Sequence, residues 1–66
     1  MANINMLKGR IVAAGYTLQE FSKAINMAYS TFSRRLRSGI FGSDEIERIA
    51  RLLNLSAEEI RMIFFN

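Results

Sequence analysis

The chain contains no cysteine, no histidine and no proline. The first two absences remove disulfides, Cys/His metal sites, thiol nucleophiles and histidine acid–base chemistry together. Stability then has to come from packing, with possible help from dimerisation. Long hydrophobic runs are also missing: the longest strictly apolar stretches, Ile11–Ala14 and Met62–Phe65, are four residues each. Runs that short neither span a membrane nor supply the apolar stretch of a signal peptide, so a cytoplasmic location is expected. What is there fits one small globular domain of 66 residues, 50% hydrophobic and 23% charged.

The net charge of +3 is unevenly spread. Residues 1–40 carry six cations (Lys8, Arg10, Lys23, Arg34, Arg35, Arg37) against Glu20, a net of +5. Residues 41–66 carry Arg48, Arg51 and Arg61 against Asp44, Glu45, Glu47, Glu58 and Glu59, a net of −2. A basic front and a mildly acidic back suit a polyanion-binding face, because cations near phosphates release condensed counterions.

No stretch alternates apolar and polar residues for long, whereas helical spacing recurs. Ile4, Leu7, Ile11 and Ala14 fall on one stripe, and Gly15 follows as a left-handed stop. Gly9 lies inside that helix at a cost of about 1 kcal/mol relative to alanine. Thr17-Leu18-Gln19-Glu20 reads as a capping box opening a second helix with Leu18, Phe21 and Ile25 inward. Asn26 ends it in a sharp turn, since Asn tolerates positive φ better than other non-glycine residues. A third helix is expected over about 29–37, with Phe32 and Leu36 on its core stripe and Gly39 as its stop. Ser43 is expected to cap a fourth helix carrying Ile46, Ile49, Ala50 and Leu53 inward, with Glu47 and Arg51 paired on its outer side. Asn54 ends it, and Ser56-Ala57-Glu58-Glu59 forms a second capping box. It opens a last helix with Ile60, Ile63 and Phe64 inward. The expected fold is all-α, five short helices joined by tight turns.

The third helix carries the functional signal. Opposite Phe32 and Leu36, the residues Tyr29, Ser30, Ser33, Arg34 and Arg37 share a face of hydroxyls and guanidiniums. A helix of about 13 Å fits a major groove about 12 Å wide, where arginine can make two bonds to guanine.

Residues 17–39 resemble the helix-turn-helix of the Cro/cI (XRE) family of phage-type repressors. The matching residues are Thr17 and Glu20 (cap), Phe21 and Ile25 (core) and Asn26-Met27-Ala28 (turn), followed by Ser30-Thr31-Phe32-Ser33-Arg34 and Ser38-Gly39. The stretch from Ile46 to Ser56 is similar to the family's fourth helix and turn. The resemblance covers most of the chain and implies a lambda-repressor-like DNA-binding domain spanning 1–66, with its helix-turn-helix in the second and third helices. It implies base reading by Tyr29, Ser30, Ser33 and Arg34, and DNA-backbone contacts from Thr17, Gln19, Lys23, Arg35 and Arg37. Asn26 replaces the family's usual Gly, Ala28 its Ser/Thr cap, and Leu18 a common phosphate-binding Gln beside which Gln19 stands.

Each of these residues has a plainer rival reading. Arg34, Arg35 and Arg37 alone could form a solvated basic face; the turn pattern and the matching fourth helix favour DNA. Tyr29 could pack against the start of the second helix, and Ser30 and Ser33 could be ordinary polar surface. Glu58 and Glu59 diverge by about 100° on a helix and read as capping and solvated residues, not a catalytic pair. The four methionines read as core filler. No nucleophile–base constellation can be assembled, so an enzyme, a cofactor or a small-molecule substrate is not expected.

Met62 and Phe65 point away from the inward face of the last helix. Either the chain end folds back over them, or they form a homodimer contact, as two-fold repressors use on paired half-sites. The implied function is a phage or prophage Cro-like repressor acting on operator DNA in a bacterial host, at the nucleoid, and occluding a promoter. The family's cI repressors carry a further dimerisation domain, for which 66 residues leave no room. Two other roles fit the same fold: a module that docks on a protein partner, such as a repressor, through its apolar C-terminal helix, and an architectural DNA-bending protein in recombination.

Overall fold

A computed structural model describes residues 1–65, and within them the regular structure is helical throughout. The order is α1 (Ile4–Ala13), α2 (Leu18–Ala24), α3 (Tyr29–Ser38), α4 (Ser43–Leu53) and α5 (Ala57–Phe64). The starts are set by short-range side-chain chemistry. Asn3 Oδ1 accepts from the Met6 N–H at the head of α1. Thr17 with Glu20, and Ser56 with Glu59, form complete capping boxes on α2 and α5. The head of α4 differs from expectation. Gly42, not Ser43, is its cap, because the Glu45 carboxylate reaches back to the Gly42 N–H at 2.8 Å and draws Ser43 into the first turn.

The ends are set by left-handed residues. Gly15, Asn26 and Asn54 have φ of 92°, 61° and 54°. After each one the chain reverses and the next N–H donates back five residues, Tyr16 to Ile11, Met27 to Ser22 and Leu55 to Ala50. Gly39 (φ 74°) closes α3 in the left-handed region, where any other side chain is strained, and a Cβ there would also press on Met1 Cε at 3.1 Å.

Five pairs build one core, Leu7 and Ile11, Phe21 and Ile25 (the residue closing α2), Phe32 and Leu36, Ile49 and Leu53, Ile63 and Phe64. Four of these pairs are spaced i, i+4, the interval that places side chains on one helical face. Full burial of such a side chain stabilises by about 1.5–3 kcal/mol. Aromatic rings run through the core from Phe21 to Phe32 (5.8 Å), Phe41 (6.3 Å) and Phe64 (5.7 Å). The N-terminal strand of chain before α1 is tied in at both sides, the Ala2 N–H to the Gly39 carbonyl and the Asn3 N–H to that of Ile63.

Two expectations about the core change, and one residue stays without a structural reason. Ala14 is exposed, because α1 ends at Ala13 and Ala14 is already in the reversal. Met1 and Met62 are exposed, so only Met6 and Met27 fill the core's margin. Gly9 faces open space, with no atom within 4 Å of a would-be Cβ, so no close approach explains it.

Candidate nucleic-acid interface

The path from α2 to α3 is fixed by Asn26 and by Ala28, whose extended backbone (φ −62°, ψ 141°) turns the chain into the next helix. Ala28 has no side-chain acceptor, and no side-chain hydrogen bond caps α3. With Phe32 and Leu36 buried, the other side of α3 is turned to solvent: Tyr29, Ser30, Arg34 and Arg37 are exposed and Ser33 is half-buried. Tyr29, at 42% exposure, does not bury itself against α2. Its ring borders a groove with Thr17, Gln19, Lys23 and Met27, so four of the expected contact residues line one depression between the two helices.

Pairing separates the cations into two groups. Arg10 binds Glu59, Arg35 binds Glu45, Arg51 binds Glu47 and Arg61 binds Glu58. Among the described residues, Lys8, Lys23, Arg34, Arg37 and Arg48 have no carboxylate within ion-pair distance. Lys23, Arg34 and Arg37 from this second group all belong to α2 and α3. Four of the five side-chain carboxylates in residues 41–66 are thus paired, two within their own helix and two with Arg10 and Arg35, while Lys23, Arg34 and Arg37 on α2–α3 are left unpaired.

Arg35 behaves differently from its neighbours on α3. Its Nε donates to both Glu45 oxygens at 3.0 and 3.1 Å, and its Nη2 donates to Oε2 at 3.1 Å. The guanidinium holds the Glu45 carboxyl below the usual glutamate range; partial burial opposes this, and the Gly42 N–H adds to it. The Arg35 guanidinium is pushed up by the same bond.

Thr17 is also engaged, its Oγ1 accepting from the Glu20 N–H and its own N–H donating to the Glu20 carboxylate. Its hydroxyl hydrogen is still free to donate. Glu20 therefore brings a negative charge to the lip of the groove, a placement the charge count could not reveal. Ser22 is 1% exposed and its hydroxyl donates to the Gln19 carbonyl, which anchors the middle of α2.

Met62 and Phe65 are 41% and 65% exposed, so the described residues do not cover them. Phe65 shares a shallow hollow with Met1 and Ile40, themselves 81% and 66% exposed. The apolar surface continues into a groove between α4 and α5 over Ile46, Ala50, Leu55 and Ile60. Ile40 and Met1 join this patch only through tertiary structure, so nothing local in the sequence marked them. Among the described residues, no helix is long and apolar enough to cross a membrane. Comparison of the chain with protein-family models, with curated proteins and with solved structures finds no match, so the functional argument rests on these side chains.

Proposed function

We propose that this protein is a sequence-specific regulator of transcription that binds operator DNA with α3 in the major groove, in the manner of a Cro-like helix-turn-helix repressor. One observation carries the reading: Lys23, Arg34 and Arg37 stand unpaired around the exposed face of α2–α3, while four of the five acidic side chains of residues 41–66 are held in ion pairs. Arg34 with Tyr29, Ser30 and Ser33 reads base edges, and Arg37, Lys23, Gln19 and the free Thr17 hydroxyl hold the backbone. The hollow of Phe65, Met1 and Ile40, together with Met62 exposed on α5, serves as the two-fold contact that brings two copies onto paired half-sites. A dimer seated on a promoter then blocks polymerase.

The same patch supports a second reading, a module that docks on another protein through α5. Selection from random-sequence duplexes at about 150 mM salt separates the two. Enrichment of a palindrome with half-sites about ten base pairs apart is the expected result. Sequence-blind binding that fades with salt favours the protein partner.

A further inference from the structure

Two of the four ion pairs among the described residues join different helices, Arg10–Glu59 with its acid 34% exposed and Arg35–Glu45 with the more buried acid. Glu45 is only 14% exposed, against 67% for Glu47 and 73% for Glu58. Three hydrogen bonds hold the guanidinium, and the carboxylate's Oε1 also accepts the Gly42 N–H. One carboxylate thus joins the last turn and a half of α3, the connection at residues 39–42 and the first turn of α4. A surface pair between neighbours on one helix does none of this; the Glu47–Arg51 bridge links α4 to itself.

Arg35 also points elsewhere. Successive helical residues diverge by about 100°, so Arg35 leaves the face that Arg34 and Arg37 bracket. A guanidinium held by a carboxylate releases no counterions from DNA. Were it free, its long stem would let it reach a phosphate beside α3, and a phosphate contact strengthens binding to every sequence alike.

Resting on the DNA-binding reading above, we propose that Glu45 is a positioning residue that withdraws Arg35 from the phosphate-binding set and locks α3 onto α4. Discrimination between operators is thereby left to Arg34 and its neighbours, undiluted by a second sequence-blind cation on α3. Glutamine at position 45 keeps an acceptor for the Gly42 N–H but loses the charge that retains Arg35.

The test is the salt dependence of binding to a random-sequence duplex, measured for the wild type, Arg37→Ala, Arg35→Met, Glu45→Gln and the double variant, with the helicity of each checked alongside. Arg37→Ala lowers the slope of log K against log salt by about 0.9. Arg35→Met leaves the slope at the wild-type value. Glu45→Gln raises it by about 0.9 and narrows the ratio of operator to random-sequence affinity; adding Arg35→Met restores the wild-type slope. A Glu45 that only braces the fold would weaken binding without steepening the slope. Should Glu45→Gln fail to fold, Arg35→Met decides by itself: a loss equal to that of Arg37→Ala makes Arg35 a phosphate contact and overturns the proposal. A wild type whose binding to duplex DNA is absent overturns the DNA reading and the proposal with it, a result distinct from the previous one.

Discussion

The α2–α3 half and the α4–α5 half use the same residue types in opposite ways. In α4 and α5 most charges are paired, Glu47 with Arg51 and Glu58 with Arg61, while Glu45 and Glu59 reach out to Arg35 and Arg10, which leaves Asp44 and Arg48 as one open charge of each sign. On α2 and α3 the cations Lys23, Arg34 and Arg37 are left open. Apolar exposure runs the other way: Met62 and Phe65 stand out on and after α5, whereas the exposed face of α3 is hydroxyl and guanidinium. A surface whose charges are matched internally has little left to attract a polyanion, and an unmatched one keeps its long-range field. The two halves thus present different surfaces, open cations and hydroxyls on one side and exposed apolar side chains on the other, and the proposed function rests on that difference.

That contrast sits on a shared core, and the largest effect expected is its collapse. Phe32, fully buried, touches the ring of Phe21 on one side and of Phe41 on the other. Phe32→Ala should cost about 3–5 kcal/mol, read by denaturant unfolding, and both halves should unfold in one transition. Two separate transitions would mean that the halves are independent units. Next in size, Arg34→Ala should lose about 1–3 kcal/mol of discrimination at one base position. Affinities across operator variants measure it, and a uniform loss over all variants would remove Arg34 from base reading.

A smaller change sharpens the comparison from outside both faces. Gly9→Ala on α1 should stabilise the fold by about 1 kcal/mol and leave DNA affinity unchanged, because the added methyl meets nothing. Thermal unfolding and a binding titration check both halves of that statement. The weakest effect is expected in acid, where solvent screens the paired carboxylates. Glu45 is held low chiefly by Arg35, and Glu59 by the Ser56 N–H and then by Arg10. Groups depressed in the fold stabilise it above their ordinary value, about 4.3, and that contribution is lost as pH falls through the depressed values. Melting temperatures should therefore decline below about pH 4.3, and less steeply in Glu45→Gln.

Much of the fold could be read from the sequence because its determinants are local. Thr17 and Glu20, or Ser56 and Glu59, lie three residues apart, and the left-handed stops at Gly15, Asn26, Gly39 and Asn54 act on their own turn. The i, i+4 core pairs are likewise visible without a structure. The Arg10–Glu59 and Arg35–Glu45 pairs are separated by 49 and 10 residues, and no periodicity joins their partners. Because Glu45 serves Gly42 as well as Arg35, the α4 cap moved by one residue. The hollow of Met1, Ile40 and Phe65 depends on where the two chain ends meet α3, which sequence spacing does not encode.

The most direct test of the contrast is amide chemical-shift mapping of the isotopically labelled protein as duplex DNA carrying a selected sequence is added. Shifts concentrated at Thr17–Lys23 and Tyr29–Arg37, with Glu47, Arg51 and Glu58 silent, are the predicted outcome. Shifts confined to α5 and Phe65, with Arg34 and Arg37 unmoved, would contradict the assignment of α2–α3 as the nucleic-acid face.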